Sequence, residues 1–250
     1  MKKMMMFLVT AMTMLAVTTA KAQTVSKGRV LFVVTSTGQK PDGTKTGYFL
    51  SEVSHPWKVL HDAGYEIDFV SPKGGQPPVD AFDLNDSINR EFWENKEYNS
   101  RINHSMKPDD VDAGKYKAIF YAGGHGVMWD LPDNDKLNAI ATKIYENGGL
   151  VGAVCHGPAG LVNIKLSNGK YLIDGKHINS FTNEEENLVG HTDILPFMLQ
   201  TKLESHGAIY EKSNPGQVHV VVDQRVITGQ NPTSATSVGL ALVEALKGVK

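Results

Sequence analysis

The chain has 250 residues, and its 25 basic and 27 acidic side chains give a formal net charge of −2 at neutral pH. This balance leaves no basic surplus to hold a nucleic-acid backbone, so we expect no nucleic-acid partner. With one cysteine the chain cannot form an intramolecular disulfide, and its fold must therefore rest on a hydrophobic core.

Residues 1–22 are predicted to be a secretory signal peptide. A basic start precedes an uncharged, mostly apolar run, and the small-x-small sequence Ala20-Lys21-Ala22 offers a cleavage site. A transmembrane anchor is the alternative, but the apolar run is short for a bilayer and is interrupted by threonines. We therefore expect a mature domain of residues 23–250 that is exported, either periplasmic or secreted, and that has no membrane attachment after cleavage.

Beyond this segment, short β-branched runs alternate with longer segments of helical period. Strands are predicted at residues 30–34, 66–70, 118–121, 178–181 and in the run that ends at Cys155, with a hairpin over 218–228; helices are predicted at 49–63, 135–146 and 233–247. Unbroken apolar strands that are separated by helices indicate a parallel sheet covered on both faces. The prediction is one α/β domain with a doubly wound, mostly parallel sheet sandwiched by helices, as in flavodoxin-like folds.

Residues 73–112 depart from this alternation. The segment is polar, contains three prolines and shows weak periodicity around Phe92 and Trp93. We predict an insertion with some helix that covers one side of a site.

Cys155 is the strongest candidate for a catalytic residue. It follows an apolar run that begins at Leu150 and precedes a small-residue stretch that can start a helix, which is the setting of a nucleophile elbow. Small neighbours let the backbone bend and a reactant approach, and the positive end of the following helix would favour the thiolate. A lone cysteine is more often a small buried hydrophobe, but the adjacent His156 favours a nucleophile.

Three other groups lie at or beyond the predicted carboxyl ends of strands, where ligands bind in such sheets. The turn at residues 123–126 (Gly-Gly-His-Gly) could direct backbone N–H groups at an oxyanion, although it matches neither a dinucleotide fingerprint nor a phosphate loop. Glu52 falls in the first turn of a helix, where a glutamate is most often a solvated partner of the helix dipole. The acidic run at residues 184–186 is most simply a helix start capped by Thr182 or Asn183.

Taken together, four motifs carry a family resemblance. They are Glu52 ahead of His55-Pro56, residues 123–126, residues 153–158 (Ala-Val-Cys-His-Gly-Pro) and residues 181–186 (Phe-Thr-Asn-Glu-Glu-Glu). In this order they resemble the PfpI-like superfamily, which is related to the class I glutamine amidotransferases. More narrowly they resemble its branch of heat-shock chaperones and glutathione-independent glyoxalases. The resemblance covers about residues 28–246.

The resemblance implies a role for each catalytic candidate. Cys155 matches the elbow nucleophile, His156 the histidine beside it, and Glu186 the carboxylate that orients this histidine. Glu52 matches the glutamate that hydrogen-bonds the nucleophilic sulfur. The glutamine amidotransferases carry a His-x-Glu pair downstream of the cysteine, and this sequence has none. Glutamine hydrolysis is therefore disfavoured.

The resemblance also implies an activity. Gly124 and the backbone N–H of His156 match the oxyanion donors, and His125 lies beside them among the substrate-binding residues. The implied reaction is a glyoxalase or D-lactate dehydratase type conversion of methylglyoxal-like 2-oxoaldehydes to 2-hydroxy acids, or a related deglycase reaction. It requires no organic cofactor and no metal, and the histidines of the sequence show no recognisable ligand spacing.

Two other interpretations stay open at this point. The same cysteine, histidine and carboxylate could serve a peptidase or amidase of the PfpI type that acts on an acyl substrate. The protein could also be a holding chaperone or a redox sensor in which Cys155 is an oxidisable switch or has no essential role. The expected partners are a small 2-oxoaldehyde or acyl substrate and a second copy of the chain, because the resemblance implies a homodimer.

Overall fold

The centre of the fold is a six-stranded sheet. The computed structural model describes residues 26–249, so the predicted signal peptide lies outside the described residues. In spatial order the strands are Glu66–Val70, Arg29–Val33, Tyr116–Tyr121, Leu150–Val154, Val226–Gly229 and Val220–Asp223. All neighbours in this order run parallel except the last pair, which forms the predicted antiparallel hairpin. The mostly parallel sheet is confirmed.

Helices cover both faces of this sheet. The α-helices are Leu50–Asp62, Ser87–Glu94, Lys96–Asn103, Val127–Asp130, Asp135–Glu146, Asn183–Val189, Leu199–Ser205 and Ala235–Leu246. Alternate residues of the first strand enter separate hydrophobic clusters: Leu31 and Val33 join one, and Val30 and Phe32 join the other. The core therefore has a layer on each side of the sheet, as predicted. Within residues 26–249, no helix is long and apolar enough to cross a membrane.

The strand register brings the candidate residues to one edge of the sheet. Val33 pairs with Tyr121, and Tyr121 in turn pairs with Ala153. The turns that follow these three strands consequently begin at the same level. The glycine-rich turn after Tyr121 and the elbow at Cys155 are therefore neighbours at the carboxyl edge, where this class of sheet binds ligands.

The insertion at residues 73–112 is partly helical, as predicted, and it packs beside the first helix. The Phe92 ring contacts Trp57 of that helix edge-on, with ring centroids 5.1 Å apart. The short strand Val79–Asp80 pairs with the two residues that immediately precede the helix carrying Glu52. The insertion thus supports the segment that positions Glu52.

One predicted strand is much shorter in the structure. Instead of spanning residues 178–181, it is limited to His177–Ile178 and pairs with Ile209–Tyr210 in a separate two-stranded sheet. The strand ends because the Ser180 N–H donates to the side-chain hydroxyl of Tyr210 at 3.1 Å and not to a backbone carbonyl of the neighbouring strand.

The helix expected after the elbow is also different. Residues Gly157–Leu161 form a 3-10 turn. Two of these residues are glycines and one is proline, all poor helix formers in a helix interior. A side chain at Gly157 would overlap the carbonyl oxygen of Tyr121, so the tight approach of this turn to the sheet requires glycine.

Candidate active site

Cys155 occupies a strained position at the end of the strand Leu150–Val154. Its φ is 58°, in the left-handed region that residues other than glycine rarely adopt. Two backbone hydrogen bonds hold it there: the Cys155 N–H donates to Gly229 O at 2.8 Å, and the Phe181 N–H donates to Cys155 O at 2.8 Å. A strained residue that its surroundings fix on both sides is the geometry of a nucleophile elbow.

The thiol, an imidazole and a carboxylate lie in a row. Cys155 Sγ is 3.3 Å from His156 Nδ1, and His156 Nε2 is 2.7 Å from Glu186 Oε2. The carboxylate accepts from the Nε2–H, which leaves Nδ1 unprotonated and directed at the sulfur. His156 can therefore take a proton from the thiol while Glu186 holds the ring in place.

Burial and hydrogen bonding set the charges of this pair. Burial and the nearby His125 lower the pKa of His156 to about 4, so the ring is neutral at neutral pH. Burial by itself would raise the pKa of Glu186, but hydrogen bonds from His125 and His156 outweigh it and lower the pKa to about 2. A neutral base beside an ionised carboxylate is the arrangement that general-base catalysis needs.

Glu52 is fully buried beside the same sulfur. Its Oε2 accepts the Gly123 N–H at 2.8 Å, and the carboxyl group interacts with the Cys155 thiol. Within the described part of the chain, Oε1 makes no well-formed hydrogen bond. Burial raises the pKa of Glu52 to about 8. Glu52 consequently keeps a proton at neutral pH, which the solvated partner of a helix dipole would not do.

The thiol itself does not have the depressed pKa that the sequence suggested. Burial raises the pKa of Cys155, and an ionised Glu52 beside it raises the pKa further. The helix that was expected to favour the thiolate is only a 3-10 turn, and the side chain has lost most of its contact with water. The His156 N–H near the sulfur opposes these effects. A protonated Glu52 removes its own repulsion and can donate to sulfur, so thiolate formation depends on this proton.

The two predicted oxyanion donors are backbone N–H groups that lie close to the elbow. Within residues 26–249 the Gly124 N–H donates to no other backbone group, and the His156 N–H is directed at the Cys155 sulfur. The intervening Gly123 N–H is used by Glu52 and is not available. A Cβ at Gly123 would lie 2.8 Å from His156 N, which shows how closely the glycine-rich turn approaches the elbow. The site can therefore stabilise a negative oxygen above Cys155.

His125, predicted as a substrate-binding residue, also belongs to the catalytic hydrogen-bond network. Its Nε2 is 2.9 Å from Glu186 Oε1, so one carboxylate binds two imidazoles. The network continues outward through two residues that the sequence analysis missed: His191 Nδ1 is 3.2 Å from His125 Nε2, and Lys40 Nζ is 3.3 Å from His191 Nε2. The sequence signal for His191 was its position directly after Gly190, at the end of the helix that carries Glu186.

The helix Asn183–Val189 positions Glu186. Thr182 is its N-cap and forms a capping box with Glu185, which confirms one of the two predicted caps. Glu185 also accepts from Asn231 Nδ2 at 2.8 Å, so the helix start is tied to the segment that follows the strand Val226–Gly229. The acidic run is therefore both a capped helix start and the source of a catalytic carboxylate.

His125, His156 and Glu186 together could also hold a metal ion. Their ligand atoms lie within 4.8 Å of one another, a convergence that sequence spacing did not reveal. The same atoms make the hydrogen bonds of the catalytic row. A bound cation would therefore replace the contact between His156 and Glu186 that the proposed chemistry uses.

Comparison with known proteins agrees with this geometry. The sequence model of the DJ-1/PfpI family matches residues 44–245. Glyoxalase 3 of Candida albicans is 36% identical over 232 residues, which cover 88% of this chain and 98% of that protein. The glutathione-independent glyoxalase HSP31 of Saccharomyces cerevisiae is 36% identical over 219 residues, which cover 82% of this chain and 92% of that protein.

A solved structure shows the same similarity. The Rapid Encystment Protein 24 kDa of Francisella tularensis is 38% identical, covers 88% of this chain and 99% of its own, and superimposes with a TM-score of 0.84. The chain belongs to the DJ-1/PfpI family.

Proposed function

We propose that this protein is a glutathione-independent glyoxalase that converts methylglyoxal-like 2-oxoaldehydes to 2-hydroxy acids. The observation that carries the proposal is the row of Cys155, His156 and Glu186 with a protonated Glu52 on the other side of the sulfur. The relatives named as glyoxalases support the same substrate class.

The first step is addition of the thiol to the aldehyde. His156 Nδ1, 3.3 Å from the sulfur, takes the thiol proton as sulfur bonds to C1 of the 2-oxoaldehyde. The aldehyde oxygen becomes an oxyanion, which the N–H groups of Gly124 and His156 stabilise until the protonated Glu52 donates to it. The product of this step is a hemithioacetal, and no external thiol takes part.

The second step moves a proton from C1 to C2. Glu52 faces the sulfur, and its Oε1 makes no well-formed hydrogen bond within residues 26–249. Once Glu52 has given its proton to the oxyanion of the first step, the resulting carboxylate can take the proton from the carbon bound to sulfur and return it to C2. Loss of the C1 proton gives an enediolate, and protonation at C2 gives a thioester of the 2-hydroxy acid. Water then cleaves the thioester and restores the thiol. Methylglyoxal plus one water gives one lactate, so the reaction needs no oxidant or reductant.

A small substrate fits the site better than a peptide does. The Cys155 residue is 3% exposed, and the Phe181 ring lies with its centroid 4.6 Å from that of His156. An extended peptide would have to reach a sulfur that has little open surface. This burial favours the glyoxalase over the peptidase or amidase.

The proposal is tested by incubating the purified protein with methylglyoxal in the absence of glutathione and measuring both lactate enantiomers. We expect one enantiomer, D-lactate, to accumulate in proportion to the methylglyoxal consumed. A parallel incubation with p-nitrophenyl acetate and a casein-derived peptide measures acyl transfer. Hydrolysis of these acyl substrates without any lactate from methylglyoxal would contradict the glyoxalase and support the peptidase or amidase.

We further propose that residues 1–22 direct export and that the mature protein is a homodimer. The basic start, the apolar run and the cleavage sequence support export. The family resemblance supports the dimer. Sedimentation velocity of the purified protein distinguishes a dimer from a monomer of the same chain.

A further inference from the structure

A buried lysine lies at the outer end of the catalytic hydrogen-bond network. Lys40 is 9% exposed, and its Nζ contacts the Nε2 of His191. Among residues 26–249 it forms no ion pair with an acidic side chain. The exposed Asp42 is close enough to attract Lys40 and His191 but forms no ion pair with Lys40, and its carboxylate accepts from the N–H and hydroxyl of Thr44. A buried ammonium without an acidic partner is costly unless another anion compensates it.

The residues of this network cannot all be hydrogen-bonded to one another with the protons that they carry. The Lys40 ammonium can only donate, so His191 must accept at Nε2 and carry its proton on Nδ1. That Nδ1–H then faces His125 Nε2 at 3.2 Å. His125 Nε2 must itself carry a proton to donate to the ionised Glu186. Two N–H groups therefore point at each other.

An anion that lies beside Lys40 Nζ and His191 Nε2 and contacts both would satisfy every group. It would accept from the ammonium and from a proton on His191 Nε2. His191 Nδ1 would then be free to accept from the His125 Nε2–H, which Glu186 shares. His191 is partly exposed, so an anion has a route to this position.

This position adjoins the catalytic row. The ring centroids of His125 and His156 are 4.1 Å apart, and those of His125 and His191 are 4.6 Å apart. The basic residues thus extend from the imidazole beside Cys155 toward Lys40. A substrate whose aldehyde lies at the sulfur could place its other end along the same side.

We propose that Lys40 and His191 form a subsite for an anionic group at the end of a 2-oxoaldehyde remote from its aldehyde. The proposal rests on the glyoxalase function for its substrate class, whereas the anion site itself does not depend on turnover. It extends the expected substrates beyond uncharged methylglyoxal to 2-oxoaldehydes that carry a carboxylate or a phosphate.

Kinetics with a matched pair of substrates test the proposal. 4,5-Dioxopentanoate carries a carboxylate four bonds from its aldehyde, and its methyl ester is the uncharged match; hydration and rearrangement of the acid give 2-hydroxyglutarate. We expect Lys40→Met to lower the ratio of kcat/KM for the acid over the ester by about 10-fold or more, the range for a hydrogen bond to a charged group. Lys40→Arg should restore most of this ratio. Lys45→Met, which removes an exposed lysine of the same loop, should leave the ratio unchanged.

A binding experiment keeps this test separate from that of the glyoxalase function. Calorimetric titration with glutarate, which cannot react, measures the subsite directly. We expect wild type and Lys45→Met to bind glutarate alike, and Lys40→Met and His191→Leu to bind it about 10-fold more weakly or worse. If wild type does not bind glutarate, or if Lys40→Met binds it as wild type does, the subsite is refuted. If glutarate binds at Lys40 but neither dioxopentanoate nor methylglyoxal is turned over, the glyoxalase proposal fails and the anion site stands.

Discussion

Burial of Glu52 lowers the stability of the folded protein at neutral pH, but it also keeps a proton-transferring group beside the sulfur. An exposed carboxyl ionises near its ordinary pKa, whereas burial holds the pKa of Glu52 at about 8 in the folded protein. The unfolded chain therefore loses this proton at a lower pH than the folded chain does. Burial of Glu52 destabilises the folded protein least below the pKa that Glu52 has in the unfolded chain. As the pH rises from that value to about 8, the free energy of unfolding falls progressively.

We therefore predict that Glu52→Gln stabilises the protein at neutral pH. Glutamine keeps a similar shape and can still accept the Gly123 N–H, but it has no proton to lose. The expected gain in the free energy of unfolding is on the order of 3 kcal/mol at neutral pH and disappears in mild acid. Urea unfolding of both proteins across this pH range measures it. Equal stability at every pH would mean that Glu52 titrates as an ordinary carboxyl group.

The same substitution should reduce turnover. Glutamine cannot take the C1 proton, so kcat should fall by about 10²–10⁴. The pH profile of Cys155 alkylation should also change, because wild-type Glu52 becomes charged at about pH 8 and then opposes the thiolate. In Glu52→Gln this inhibition should be absent.

Glu186 is predicted to act through His156. The pKa of His156 is about 4, so wild-type activity should fall as the pH drops through that value and the ring becomes protonated. Glu186→Gln removes a hydrogen bond and a charge that both raise the pKa of His156. The variant should lose about 10²–10⁴ in rate, and its acid limb should move to lower pH. A variant with near-normal rate and an unchanged profile would leave Glu186 as no more than an acidic residue in the first turn of its helix.

These pairings could not be read from the sequence. Glu52 and residues 184–186 each look like ordinary helix-start glutamates, because local sequence shows neither their burial nor their partners. The family resemblance was needed to separate Glu186 from its neighbours. The contacts of His125, His191 and Lys40 depend on three loops that meet only in the fold, and no spacing rule predicts them.

Elements with a strong local pattern were predicted closely. The strand Glu66–Val70 and the helix Asp135–Glu146 have the predicted bounds, because each has its own apolar period and a clear stop signal. The stretch after Cys155 is predicted to start a helix, but its two glycines are constrained by their close approach to Tyr121. Tertiary contacts therefore determine the conformation of this stretch, and the local sequence pattern does not reveal those contacts.

The glycine-rich turn at residues 123–126 allows a test of how closely one element must approach another to form the site. Gly124 and Gly148 have similar positive φ values of 96° and 91°. A Cβ at Gly124 would overlap Gly47 O, whereas a Cβ at Gly148 would meet no atom of residues 26–249 within 4 Å. Gly148→Ala should cost about 1–2 kcal/mol of stability, from backbone strain alone. Gly124→Ala should cost more and should also displace the oxyanion donor, lowering kcat sharply.

Urea unfolding and methylglyoxal turnover of the two variants make this comparison. Equal losses of stability, with activity kept in both, would show that the close approach at Gly124 is not needed for the site. A larger loss for Gly124→Ala in both measurements is the expected result.

At the scale of the whole molecule, the sheet joins two core layers and places the site at its carboxyl edge. Alternation of buried residues within single strands, such as Leu31 and Phe32, assigns each layer. The sequence predicted this architecture because buried parallel strands have continuous apolar runs. The helical insertion was predicted as a segment, but its packing on Trp57 was not, because that contact joins distant parts of the chain.

Export is a prediction about the protein as a whole. If residues 1–22 are a signal peptide, the protein isolated from a cell fraction outside the cytoplasm should begin at Gln23. N-terminal sequencing of protein from separated fractions gives the answer. An intact Met1 on a membrane-bound form would support the anchor, and an intact Met1 on a cytoplasmic form would contradict export.

The most direct test of the central claim is lactate formation by wild type and Cys155→Ser, measured side by side with methylglyoxal and no glutathione. The substitution changes one atom, and circular dichroism establishes that the variant is folded. The sulfur must form and release the thioester, so wild type should produce D-lactate and Cys155→Ser should produce none above the rate without protein. Equal lactate formation by the two proteins, or none by either, would contradict a cysteine-dependent glyoxalase.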